Sequence, residues 1–280
     1  MLPIDWNTAI LYAKLVAIAE SVSPTGSYDP ATQQKIGALG YKYLQTLYGD
    51  DLATDVDAHL GDIVSFGFLA VSPGKELVAA IRGTDSLLEW LHDASFLMVP
   101  SPIPGTHGFT EDGFTVVYRS LRVGQLNGSD RAVAAIKNCL DSGAATSVTV
   151  CGHSLGGALA TLLTVDVAVN TSCKSPQSYT YASPRVGDFS FAGAYNSSVP
   201  FSYRVANRQD LVPKLPPILP LPYVHVNTIY ELNPAPGAIN PTIPCMHHLT
   251  TYLWLMGRLA GTNAGPLDSD CVFQAASSHI

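Results

Sequence analysis

Residues 148–160 read Val-Thr-Val-Cys-Gly-His-Ser-Leu-Gly-Gly-Ala-Leu-Ala, a β-branched strand that runs straight into a Gly-x-Ser-x-Gly turn and out into a small-residue helix. A serine wedged at such a crossing is a nucleophile elbow: its hydroxyl stands clear of the sheet, with a helix N-terminus beneath it. Gly152 and Gly156 keep side chains out of the tight crossing, and Gly157 with Ala158 lets the helix pack close to its neighbouring strands. A turn that only connected strand to helix would leave His153 and Ser154 without a reason.

The pattern around the elbow is that of an α/β protein. Residues 5–22 and 31–48 read as helices, and residues 63–72 and 77–82 read as an antiparallel hairpin closed by Pro73-Gly74. Helical stretches at 109–124 and 129–143 precede the strand 147–151, and further strands fall at 178–182, 202–207 and 223–232. A last helix covers 249–259, and 260–280 is a Gly/Ser-rich tail with no sign of chemistry. This alternation predicts a mostly parallel sheet covered by helices. With 280 residues and no linker or repeat, one domain is expected.

Composition narrows the partners. A net charge of −7 with no Lys/Arg cluster excludes a broad nucleic-acid footprint. At 47% hydrophobic and 13% charged, the chain suits a large core with apolar surface to spare. The five cysteines, Cys139, Cys151, Cys173, Cys245 and Cys271, lack metal-site spacing, so neither metal nor cofactor is expected. Their odd number leaves at least one thiol unless it pairs between chains. No stretch is long enough to span a bilayer. Residues 9–19 are not the core of a signal peptide, because Lys14 interrupts them, Asp5 precedes them and no Ala-x-Ala exit follows.

A neutral serine is a weak nucleophile and needs an imidazole within reach, itself fixed by a carboxylate. In this fold class the order is serine, acid, histidine. Asp210, on the loop after strand 202–207, stands where the acid belongs; Asp188, in Pro-Arg-Val-Gly-Asp, reads better as a turn or helix-start residue. The base must come later. His279 lies in the tail and His225 in an alternating strand, which leaves the adjacent pair His247-His248 at the start of the last helix. Neighbouring side chains there diverge by about a hundred degrees, so only one can face Ser154, and spacing does not choose between them.

Several segments together resemble the class 3 lipase family of filamentous-fungal lipases and their relatives. These are Arg82-Gly83-Thr84-Asp85 with the following Ser-Leu-Leu-Glu-Trp-Leu-His-Asp, His107-Gly108-Phe109 (without the family's intervening residue), Gly152 to Ala160, Tyr181-Ala182-Ser183-Pro184-Arg185-Val186-Gly187, and Arg208-Gln209-Asp210-Leu211-Val212-Pro213. The resemblance implies the α/β-hydrolase fold and a triad of Ser154, Asp210 and His248. His248 is favoured because an apolar residue, Leu249, follows it and an aromatic, Tyr252, lies a turn later. It also implies an oxyanion hole made by the backbone N–H groups of Thr84 and Leu155.

In residues 85–93, Leu87, Leu88, Trp90 and Leu91 fall on one helical face with acidic residues around the other. Lying directly after Thr84, this amphipathic piece is expected to roof the serine, and the resemblance makes it a movable lid. Val212 is grouped with these four as substrate-binding. Exposing four such side chains costs about 1.5 to 3 kcal/mol each, so water keeps the lid shut and an oil surface opens it. Ile218, Leu219 and Leu221 fit either an opposite rim or the packing of their own proline-rich loop. The expectation is a secreted lipase, a monomer or weak dimer, that cleaves acylglycerols at an oil–water interface through an acyl-serine. Feruloyl esterase and phospholipase A1 activity are the alternatives on this scaffold, and a non-catalytic binding protein is a remote one.

Overall fold

Period-two alternation in the strands separates two apolar layers. The computed structural model describes residues 3–51, 62–84, 96–124 and 130–273. Chain order runs α1 (Trp6–Glu20), α2 (Pro30–Ala38), β1 (Lys42–Asp51), β2 (Asp62–Val71), β3 (Glu76–Ile81), β4 (Met98–Pro100), β5 (Phe109–Glu111), α3 (Asp112–Ser120), β6 (Arg122–Val123) and α4 (Ala132–Asp141). It continues with β7 (Ser147–His153), α5 (Leu155–Asn170), β8 (Gln177–Tyr181), α6 (Phe189–Ser198), β9 (Phe201–Asn207), β10 (Ile229–Leu232), α7 (Ile243–His247) and α8 (Leu249–Ala260).

The main sheet has the order β10-β9-β8-β7-β3-β2-β1-β6. From β3 to β10 its neighbours are parallel, and β2, β1 and β6 extend it antiparallel. β4 and β5 form a separate antiparallel pair. The mostly parallel sheet read from the sequence is therefore present, with β7 in its middle between β3 and β8. A side chain at the carboxyl end of β7 thus emerges where an open α/β sheet presents its ligands.

Leu77, Ala79 and Ile81 of β3 and Val148 and Val150 of β7 join the layer under α3, α4, α5 and α6. The alternate residues Val78, Ala80 and Cys151, with Tyr179 and Tyr181, join the layer under α1 and α8. α5 is buried from Leu155 to Ala168, and its few polar side chains are hydrogen-bonded: Thr161 and Thr164 to carbonyls one turn back, and Asp166 to the Tyr118 hydroxyl. By the same alternation His153 faces α1, whose Asp5 cap accepts the N–H groups of Asn7 and Thr8.

Three boundaries differ from the sequence reading. The helix expected over 31–48 ends at Ala38; Gly40 takes a left-handed φ of 89°, and Tyr41 onward leads into β1, where tyrosines and Thr46 pair along β2. The helix expected from 109 begins as β5, with the Glu111 side chain accepting the Phe114 N–H as the cap of α3. The strand expected over 223–232 keeps only Ile229–Leu232; Val224 makes an isolated bridge to Gly187 instead, and the Tyr223 hydroxyl donates to the carbonyls of Phe96 and Leu97.

One disulfide joins Cys245 in α7 to Cys271 beyond α8, while Cys139, Cys151 and Cys173 remain thiols. Closing a loop across 26 residues restricts the unfolded chain by about 3 to 4 kcal/mol. The Cys245→Ser/Cys271→Ser double variant is expected to melt several degrees lower in a thermal scan. An unchanged Tm would show that the crosslink adds no stability.

Candidate active site

β7 ends in a turn that only small neighbours permit. A Cβ on Gly152 would lie 2.1 Å from the Gly156 carbonyl oxygen, and one on Gly156 would lie 2.4 Å from the carbonyl oxygens of Ile81 and Arg82. Ser154 sits between them at φ 57°, ψ −124°, 2% exposed, with its N–H donating to the Tyr181 carbonyl at 2.9 Å. Such backbone costs about 1 to 3 kcal/mol and persists where packing enforces it. Its hydroxyl oxygen is buried and has no hydrogen-bond partner among the described residues.

Asp210 follows β9 and is 0% exposed. Its Oδ1 accepts the Val212 N–H at 3.0 Å, and its Oδ2 accepts the Tyr252 hydroxyl at 2.8 Å and the His247 Nδ1–H at 2.8 Å. With Nδ1 carrying the proton, the other nitrogen of a neutral His247 ring is a lone-pair acceptor. That Nε2 is buried and, like the Ser154 hydroxyl, unpartnered among the described residues. Burial pushes the His247 ring below its ordinary value, and the charge of His153 pushes the same way, against the opposing pull of Asp210.

The expectation that His248 meets Asp210 is corrected by this geometry. Thr242 caps α7 and Pro244 lies in its first turn, so the short helix ends with His247 turned inward. At His248 the backbone is extended (φ −52°, ψ 138°) as it passes into α8, which throws the next side chain outward. His248 Nδ1 lies 3.0 Å from Asp268, and its side chain is 46% exposed. The Thr-x-Pro helix-start signal at 242–244 was the available clue. It marks a separate helix before the last one, so the two histidines straddle a junction.

Ser154, His247, His248 and Thr84 line one cavity of about 500 Å³, with Ile243 and Leu249 as apolar wall. Leu155 is the first residue of α5, and its N–H is among the amides that a helix start leaves without an intrahelical partner. Val212, expected among the substrate-binding residues, is fully buried in a short turn, where its N–H donates to Asp210. The lid expected over 85–93, with Leu87, Leu88, Trp90 and Leu91, lies outside the described residues. Asp188 caps α6, accepting the N–H groups of Phe191 and Phe109. His225 donates to the Pro213 carbonyl at 2.6 Å, and burial pushes its ring down to about 3. Two acidic cavity residues escaped the sequence reading: Asp268, after α8, and Glu20, at the end of α1. Neither belongs to a motif, since Glu20 comes to the site through the packing of α1.

The model of the family Lipase (class 3) matches residues 78–219. "Phospholipase A1-II 3" of Oryza sativa subsp. japonica is 31% identical over 225 residues, covering 72% of this chain and 54% of that protein. "Secreted mono- and diacylglycerol lipase A" of Penicillium camembertii is 33% identical over 166 residues, covering 59% and 50%. The chain spans about half the length of the curated relatives it matches. Among solved structures, an MDLA variant from Penicillium cyclopium superposes with a TM-score of 0.60 at 26% identity, over 82% of this chain and 80% of that one. The Rhizomucor miehei lipase propeptide complex superposes with a TM-score of 0.60 at 24% identity, over 81% and 68%, a likeness of fold.

Proposed function

Because the chain belongs to the class 3 lipase family, we propose that it is a serine carboxylic ester hydrolase that cleaves acylglycerols. Ser154 is the nucleophile. His247 Nε2 takes the hydroxyl proton as the oxygen attacks the ester carbonyl, and returns it to the departing alcohol. Asp210 keeps the proton on Nδ1 and stabilises the imidazolium that forms. The amides of Leu155 and Thr84 face the oxyanion; losing one such donor costs about 3 to 4 kcal/mol of transition-state stabilisation. Water, activated by the same imidazole, then releases the acid.

The observation that carries this reading is the pair of buried, unpartnered atoms, Ser154 Oγ and His247 Nε2, in residues that line one cavity, with Asp210 fixed behind the imidazole. Buried polar atoms are rarely left unpaired, and a catalytic role is one of the few reasons for it. Exposed Ile218 and Leu219, the latter 78% exposed, support a site that meets lipid. Residues 85–93, amphipathic in sequence and next to Thr84, are proposed to meet the lipid substrate. An extracellular location goes with this proposal, by likeness to the Penicillium protein named as secreted.

Phospholipase A1 activity is the second reading, favoured by the rice relatives that carry that name. Rates on emulsified triacylglycerol, phosphatidylcholine vesicles and methyl ferulate decide between them. The expected order places the acylglycerol first, with a rise in rate once substrate exceeds its solubility. Faster release of fatty acid from phosphatidylcholine would move the assignment to phospholipase. Failure of a p-nitrophenyl phosphonate to modify Ser154 would end the hydrolase reading.

A further inference from the structure

His153 is more than the variable letter of the elbow motif. Its Nδ1 lies 2.8 Å from the Glu20 carboxylate and its Nε2 lies 2.8 Å from the backbone carbonyl of His247. A carboxylate and a carbonyl both accept, so the ring satisfies both partners only when each nitrogen bears a proton. The His153 ring also lies against that of His247, with centroids 4.7 Å apart. Glu20 also lines the same cavity as Gly83 and Thr84.

Resting on the assignment of His247 as base, we propose that His153 is a positioning residue: an imidazolium held by Glu20, it anchors the His247 main chain and holds the neighbouring ring in its neutral, proton-accepting form. The two residues link three segments that must stay in register. Glu20 ends α1, His153 belongs to the elbow, and the His247 carbonyl belongs to α7. Neither side chain needs to touch the ester.

The electrostatics run the same way. Burial alone would push the His153 ring down, but the charge and hydrogen bond of Glu20, with the His247 carbonyl, lift it above its ordinary value. Burial would push the Glu20 carboxyl up, and His153 together with the Gly83 N–H holds it below the usual range. The groups that face the two rings are Glu20 from α1, Asp210 from the loop after β9 and Tyr252 from α8. Arg82, His248 and Asp268 line the same cavity. Of these, the His153 cation opposes protonation of His247, whereas Asp210 and Glu20 favour it.

The test is Glu20→Gln, which keeps size and hydrogen bonding while removing the counter-ion. Deprived of it, the buried His153 loses a proton, and its remaining N–H still serves the His247 carbonyl. Both charges are then gone from beside His247; the His153 cation weighs more on that ring than the Glu20 carboxylate does, so the ring protonates at somewhat higher pH. The acid limb of kcat/KM on a soluble p-nitrophenyl ester is expected to move up by about half a pH unit, the net of the two lost charges. The loss should fall on kcat with KM little changed, and shrink as pH rises past the limb. In the unaltered protein, ring ¹⁵N shifts should report both His153 nitrogens protonated at pH 7, and one in the variant.

A profile that superposes on that of the unaltered protein, or a loss uniform across pH, would overturn the proposal. So would a singly protonated His153 in the unaltered protein, a measurement that needs no activity and survives poor folding of the variant. Phosphonate modification of Ser154 in the unaltered protein separates the two claims. If Ser154 reacts and the limb does not move, this inference fails alone; if Ser154 does not react, the hydrolase reading fails and takes the inference with it.

Discussion

Replacing Ser154 by alanine is expected to lower kcat on a soluble p-nitrophenyl ester by about 10⁴- to 10⁶-fold. The substitution removes one atom, and that atom makes no hydrogen bond among the described residues, so folding loses almost nothing. The backbone turn at φ 57° stays as strained as before, because alanine keeps the Cβ. Activity and stability should therefore separate: a near-inactive protein with a melting temperature within a degree or two of the original. Residual turnover above about a hundredth of the original would show that another group performs the attack. A Tm lowered by many degrees would mean that the hydroxyl is structural, against its unpartnered geometry.

The second large effect separates two adjacent residues. His247→Ala is expected to cost about 10³- to 10⁵-fold in kcat, the range for losing the base of a triad that acts as a unit. His248→Ala is expected to cost less than about tenfold, since its ring is half exposed and pairs with Asp268 at the surface. The reverse ranking would reassign the base to the outer histidine. The pH profile gives an independent check. The neutral ring is the active form, and burial together with the His153 charge holds His247 below the ordinary imidazole value. The acid limb of kcat/KM should therefore fall below pH 6.5, with activity lost as the pH drops through it.

What could be read from the sequence was what is encoded over short range. The elbow is legible because Gly152, Ser154 and Gly156 are required by a crossing that leaves no room for side chains. The β2–β3 hairpin is legible from Pro73-Gly74, and the strands flanking the elbow from their β-branched and aromatic runs. β1 was misread because Lys42–Asp51 gains its strand character from pairing with β2, a contact no local window contains. The choice between His247 and His248 turned on whether α7 and α8 are one helix or two. The Thr242 cap and the extended backbone at His248 divide them. Glu20 was out of reach, because 133 residues separate it from His153 and only the packing of α1 against β7 joins them.

The segment after α8, which the sequence offered as an inert tail, is stitched into the molecule two residues from the proposed base. Cys271 holds Cys245, and Asp268 of the same segment holds the next histidine along. The α7 segment bearing the imidazole is thus moored on one side to the elbow, through the His247 carbonyl, and on the other to a downstream stretch that takes no part in the sheet. Cleavage or chemical damage near residues 261–271 would be transmitted to the reaction centre, although the injury lies a hundred positions from the serine.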